Sequence, residues 1–212
     1  MHPWHHYVAM GDSFTEGVGD SVDGFVKLGA VDRVAAALRQ SNPDLQYTNL
    51  AKHGLLVGEI REQQLETALH LKPDLVSVVA GANDIMTGRF SAARWEQEFQ
   101  TMFEALTQAG AVVISATVPD FAILRTLKEP LQARVKGNIM RGNGVIQRLA
   151  AQYQVVLVDA WTISTRSDRE DWSEDGVHLN SRGYLKFAQE TLKILEQQTG
   201  VKIGAIEQHD DK

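Results

Sequence analysis

The chain contains no cysteine, which excludes disulfides, thiolate nucleophiles, zinc-thiolate sites and thiol redox switching. Positive charge is also scarce: 21 Lys+Arg stand against 27 Asp+Glu, a formal net charge of −6. Phosphate backbones and anionic lipid surfaces call for a broad cationic field, so no nucleic-acid partner is expected. No run of about 18 apolar residues occurs, and no integral membrane contact is expected either. The N-terminal MHPWHHYVAM holds no Lys or Arg, and its apolar run, Tyr7 to Met10, is too short for a signal-peptide core. The expectation is a cytoplasmic protein.

No internal repeat, low-complexity tract or linker divides the 212 residues, of which 43% are hydrophobic and 23% charged. One domain over 1–212 is expected, with a frayed tail over 202–212. Short apolar runs alternate with longer amphipathic stretches, the pattern of a βαβ series and a parallel sheet covered on both faces. Five strands are predicted: His6 to Met10, Leu45 to Leu50, Asp74 to Ala80, Ala111 to Thr117 and Val155 to Asp159. Helices are predicted over Phe25 to Gln40, Glu59 to Leu71, Ala92 to Gln108 and Arg182 to Gln198. In the third of these, Trp95, Phe99, Met102 and Leu106 recur at helical spacing and form a core stripe. A further helix is expected between Leu131 and Gln152, although Gly137, Gly142 and Gly144 weaken its continuity. Residues 118–130 and 162–177 are the longest stretches without a clear element, and such loops tend to carry function.

The first strand runs directly into Gly11-Asp12-Ser13-Phe14. Ligands bind at the carboxyl ends of strands in an open parallel sheet, so Ser13 is placed for chemistry; it equally suits a helix N-cap. The tripeptide recurs as Gly19-Asp20-Ser21 with no strand before it, and that copy reads as ordinary polar loop. A serine hydroxyl becomes a nucleophile only when a positioned base removes its proton. Of the seven histidines, His2, His5, His6 and His209 sit near the chain ends and His70 at a helix end, which leaves His53 and His178. His178 has an acid three residues before it. Asp175 can fold back onto the imidazole, fix its tautomer and stabilise the imidazolium, or it can simply cap the last helix beside a surface histidine. An oxyanion needs hydrogen-bond donors, and two more strand ends offer them: Gly54 after the second strand and Asn83, in Gly81-Ala82-Asn83-Asp84, after the third. Taken alone, these are also a turn glycine and an Asx-turn asparagine.

Four segments in this order resemble the SGNH hydrolases of the GDSL type. Gly11-Asp12-Ser13 resembles the nucleophile block, Gly54 the glycine block, Gly81-x-Asn83-Asp84 the asparagine block, and Asp175-x-x-His178 the acid and base block. The likeness spans residues 6 to 180; the leucine of the family's signature is Phe14 here. It implies a three-layer α/β/α sandwich with a five-stranded parallel sheet, which agrees with the strand count. It further implies Ser13 as nucleophile, His178 as general base and then acid, and Asp175 as the orienting carboxylate. The oxyanion hole would comprise the N–H groups of Ser13 and Gly54 and the side-chain amide of Asn83. The Gly-x-Ser-x-Gly elbow of the α/β-hydrolases is absent, because position 15 is Thr.

The function expected is metal-independent hydrolysis of carboxylic esters through an acyl-enzyme, with no cofactor and with a small-molecule or lipid ester as substrate. Thioesters and O-acetylated carbohydrates are alternatives on the same site. Phe14, Leu55, Ile85, Trp172 and Val177 are candidates for the substrate pocket, with Leu56, Met86, Phe90, Phe121, Ile123 and Leu124 nearby. A rival from another class is a non-catalytic nucleotide- or phosphate-binding module built on the glycine-rich Gly11 to Gly19 loop. Against it, the Lys-Ser/Thr pair of a phosphate loop and the glycine spacing of a dinucleotide fingerprint are both missing.

Overall fold

A computed structural model describes residues 2–121, 127–166, 168–204 and 206, the side chain of Thr165 excepted. Five strands, β1 (His6–Gly11), β2 (Gln46–Asn49), β3 (Leu75–Val79), β4 (Val112–Ala116) and β5 (Val156–Val158), form one sheet in the order β2-β1-β3-β4-β5. Every neighbouring pair is parallel, with Tyr7 opposite both Tyr47 and Leu75, and Ile114 opposite Val156. Parallel neighbours need crossover connections, and helices supply them on both faces. In chain order these are α1 (Ser13–Glu16), α2 (Ala30–Ser41), α3 (Val57–His70), α4 (Ala82–Met86), α5 (Ala92–Gln108), α6 (Leu131–Tyr153), α7 (Ala160–Arg166) and α8 (Ser181–Thr199). The three-layer sandwich inferred from the sequence is therefore the observed fold.

Successive strand residues point to opposite faces. Val8 and Met10 pack with α3, α5 and α6, whereas Tyr7 and Ala9 pack with α2 and α8. The α5 stripe is wholly buried: Trp95, Phe99, Met102 and Leu106 are each 0% exposed. Trp95 also decides two glycines. A Cβ at Gly81 would lie 2.4 Å from its ring and one at Gly142 2.3 Å. Gly142 therefore serves close packing, and α6 runs unbroken for 23 residues despite its glycines.

Several boundaries differ from expectation. The helix predicted from Phe25 starts at Ala30, since Val22 to Phe25 form a turn with Gly24 at φ +81° and Asp32 accepts the N–H of Gly29 at the true N-terminus. The helix predicted from Glu59 starts at Val57, because the Glu59 carboxylate reaches back to the N–H of Leu56 at 2.8 Å. The unassigned stretch 162–177 contains the rest of α7 and a 3-10 turn at Arg169–Asp171. The tail expected to fray is docked over its first residues. Ile203 is buried against α8, and Glu196 accepts its N–H at 2.6 Å.

Candidate active site

Register pairing between β1 and β2 ends at Ala9–Asn49, and beyond it the Lys52 N–H still donates to the Gly11 carbonyl at 3.2 Å while the Gly11 N–H needs a further acceptor. Gln64 of α3 provides it, accepting the N–H of Gly11 at 2.8 Å and donating to its carbonyl at 2.9 Å. Gly11 is crowded: a Cβ there would meet Thr15 Oγ1 at 2.2 Å and the Val79 carbonyl at 2.5 Å. With the strand end fixed, Asp12 caps α1 by accepting the N–H of Phe14 at 3.1 Å, and Ser13 becomes the first helical residue. A helix leaves its first N–H groups without internal acceptors, so the Ser13 N–H is available beside its own hydroxyl.

The segment before α8 brings the second half of the site. Asp175 Oδ1 accepts the backbone N–H groups of Val177 at 2.8 Å and His178 at 3.0 Å, which folds the turn onto itself. Asp175 Oδ2 lies 2.6 Å from His178 Nδ1, and His178 Nε2 lies 2.8 Å from Ser13 Oγ, 165 residues away in sequence. Partial burial opposes ionisation of Asp175, but the hydrogen bonds from His178 and Val177 outweigh it and hold the carboxyl below its usual range. His53, the other open candidate, is exposed with its ring centred 6.3 Å from that of His178, outside this series of hydrogen bonds.

The second Gly-Asp-Ser copy is polar loop, as read from the sequence, and it is anchored to the segment that carries Asp175 and His178. Asp20 accepts the N–H of Glu174 at 2.8 Å, while its own N–H donates to Ser173 Oγ at 2.9 Å and its carbonyl accepts from Ser181 N–H at 3.0 Å. A Cβ at Gly19 would fall 2.0 Å from the Leu179 carbonyl, so only glycine fits there. Residues 19–22 thus form a strap across the Asp175–His178 turn. From the other side, Arg169 donates to the carbonyls of Trp172, Ser173 and Glu174.

Asn83 sits in the first turn of α4, directly after β3. Its Nδ2 donates to Leu55 O at 3.0 Å and to Asp12 Oδ2 at 3.2 Å. Two buried acids flank this amide. Burial pushes the Asp12 carboxyl up to about 7, against the hydrogen bond from Phe14, and it also raises that of Asp84, which accepts the Val57 N–H at 3.1 Å. Gly54 lies in the exposed turn after β2 with φ +79°, a conformation that favours glycine.

An apolar pocket, open to solvent, adjoins Ser13, Asn83 and His178. It runs between the carboxyl ends of β3 to β5 and α8, and its walls include Val118, Phe121, Ala160, Ile163, Leu179 and Phe187. Phe14, Trp172, Val177 and Met86 are among the residues that line it. Leu55 and Ile85 do not. Their side chains are buried in the cluster under α3 and α5, because the backbone after Gly54 and after Asn83 turns them inward. Leu56 is the N-cap of α3, and Phe90 packs edge-on to Trp95 at 4.9 Å. Ile123 and Leu124 lie outside the described residues.

Asp12, Asp20, Gln64 and Ser173 were missed as site-supporting residues by sequence reasoning. Only the tripeptide repeat offered a signal, and it pointed to Asp20 alone. Among the described residues no group of three or more His, Cys, Asp or Glu is arranged to hold a metal ion, and no helix is long and apolar enough to cross a membrane.

The geometry can be set beside known proteins. LAE5, an alpha/beta hydrolase from the metagenome of Lake Arreo, superposes with a TM-score of 0.70 at 21% identity, covering 90% of this chain and 94% of that one. EstA, a psychrotrophic esterase from Pseudoalteromonas sp., gives 0.71 at 13% identity, with 93% and 100% covered. Axe2, an acetylxylan esterase from Geobacillus stearothermophilus, gives 0.67 at 18%, with 93% and 95% covered. At these identities the likeness establishes the fold. No curated protein sequence matches the chain. The family model of the GDSL-like lipases and acylhydrolases matches residues 9–186, from the strand that delivers Ser13 into the helix that follows His178, and the chain belongs to that family.

Proposed function

We propose that the protein hydrolyses carboxylic esters through an acyl-enzyme on Ser13, with His178 as general base and acid and Asp175 as its orienting carboxylate. The observation that carries this reading is the unbroken series Asp175 Oδ2, His178 Nδ1, His178 Nε2, Ser13 Oγ, with steps of 2.6 and 2.8 Å around one imidazole. Asp175 fixes the tautomer that leaves Nε2 free to accept the serine proton. Ser13 Oγ attacks the ester carbonyl while His178 takes that proton. The tetrahedral oxyanion is held by the N–H groups of Ser13 and Gly54 and by Asn83 Nδ2, each donor worth about 10²- to 10³-fold in rate. His178 then protonates the leaving alcohol, and water repeats the sequence to release the acid.

The apolar walls that continue past Ser13 to Phe121, Ile163 and Phe187 favour an acyl chain longer than acetyl. A fluorophosphonate that labels Ser13, with labelling and activity both lost in Ser13→Ala, is the expected result. Failure of the folded protein to label overturns the reading. Initial rates on p-nitrophenyl acetate, butyrate, octanoate and palmitate are expected to peak beyond acetate. A steep preference for acetate would move the assignment to O-acetyl substrates, and faster turnover of the matching acyl thioesters would make the protein a thioesterase.

A further inference from the structure

Asp12 is a buried acid, 3% exposed, and among the described residues no Lys or Arg pairs with it. A carboxyl group in such a place is costly to retain. Capping α1 does not account for it, since Ser or Asn performs that task as well. Its two oxygens are divided: Oδ1 accepts from the Phe14 N–H and Oδ2 from Asn83 Nδ2.

The two ends of an asparagine amide are nearly identical in shape, so hydrogen-bond partners alone decide which end faces which way. For Asn83 both partners, Asp12 Oδ2 and the Leu55 carbonyl, are acceptors. Flipping the amide would lose both bonds and set Oδ1 against two oxygens.

We propose that Asp12 is a positioning residue for ester hydrolysis, its second carboxyl oxygen holding Asn83 in the orientation that presents Nδ2, and not Oδ1, to the oxyanion. This rests on the function proposed above. The contact with Asp12 is the longer of the two, and its N–H is shared between Asp12 Oδ2 and the oxyanion as charge develops, while Leu55 retains the other. Only a carboxyl group serves here. The two donors meet different oxygens, and an asparagine here would set its NH2 against either the Phe14 N–H or Asn83 Nδ2. The charged and titratable groups facing Asp12 are His178 from the turn before α8, Tyr184 from α8 and Asp84 from α4. Burial keeps Asp12 protonated up to about pH 7, and a carboxylic acid still accepts through its oxygens.

The test is a double-mutant cycle between Asp12 and Asn83, read as kcat and KM on a p-nitrophenyl ester. Asn83→Ala is expected to lower kcat by about 10²- to 10³-fold, and Asp12→Asn by about 10- to 100-fold with KM within about twofold of wild type. In the Asn83→Ala background, Asp12→Asn should cost less than about threefold, because there is no amide left to orient. Asp12→Ser keeps the cap on Phe14 but cannot reach Asn83, and it should match Asp12→Asn, which guards against a mere folding defect. Additive losses in the cycle, or wild-type kcat in Asp12→Ser, overturn the assignment. If the wild-type protein neither hydrolyses esters nor labels with fluorophosphonate, both this inference and the proposed function fall; hydrolysis with additive losses removes Asp12 alone.

Discussion

The carboxylate of Asp20 accepts the backbone N–H of Glu174 at 2.8 Å, joining residues 154 positions apart. Glu174 directly precedes Asp175, so this bond sets where the Asp175–His178 turn begins. Misplacing a reacting group by about 1 Å can cost about 100-fold in rate. Asp20→Ala should therefore lower kcat by up to that factor. Asp20→Asn keeps an acceptor oxygen and should retain most of the activity. Because Asp20 is exposed, neither change should greatly alter the melting temperature. Unchanged kcat in Asp20→Ala would show that the strap does not position the turn.

Trp95 is the packing centre between α5, α6 and the end of β3. Its ring meets Phe90 and Phe99 and leaves no room for a side chain at Gly81 or Gly142. Trp95→Ala should destabilise the fold by about 3–5 kcal/mol. Gly142→Ala should cost about 1–3 kcal/mol by overpacking. Urea unfolding checks both, and a Gly142→Ala protein as stable as wild type would mean that the ring shifts freely.

The buried carboxyl of Asp12 also predicts how stability varies with pH. Its folded-state pKa, about 7, lies above the ordinary 3.8. Between these values the folded protein binds more protons than the unfolded chain, so this group's contribution falls as pH rises and levels off above about 7. The loss is on the order of 4 kcal/mol for a fully buried group. Asp12→Asn lacks that dependence. The stability difference between the two proteins, measured by denaturant unfolding from pH 4 to pH 8, should move in favour of the variant as pH rises. A constant difference would place the ionisation of Asp12 outside this window.

Chain-length preference is expected to depend on Ala160, which opens α7 and lines the pocket. Ala160→Phe fills part of that space. It should shorten the preferred p-nitrophenyl ester and leave the rate on acetate within a few fold, since each methylene excluded is worth about 10-fold or more. An unaltered profile would place the acyl chain elsewhere.

The strand ends carrying Ser13 and Asn83 and the Asp175-x-x-His178 spacing were legible because each depends on a short stretch of chain. Apolar runs report strands, helical spacing reports the Trp95 stripe, and a three-residue step suffices for Asp175 to reach His178. Leu55 and Ile85 were misplaced for the opposite reason. Apolar residues beside functional ones are indistinguishable in sequence whether they face a pocket or the core, and local backbone direction turned these two inward.

Composition and periodicity by themselves determined the layered parallel fold, the exclusion of thiol chemistry and the candidate residues, since burial patterns and residue chemistry are written locally. Only the tertiary structure decided that His178 Nε2 meets Ser13, that Gln64 completes the end of β1, that Asp20 straps the Asp175–His178 turn, and that Asp12 and Leu55 share the Asn83 amide. Each of these is a hydrogen bond between segments far apart in the chain. Such bonds form where crossovers bring loops to one rim of the sheet, and no local spacing encodes which loop atoms then come within 3 Å or so of one another.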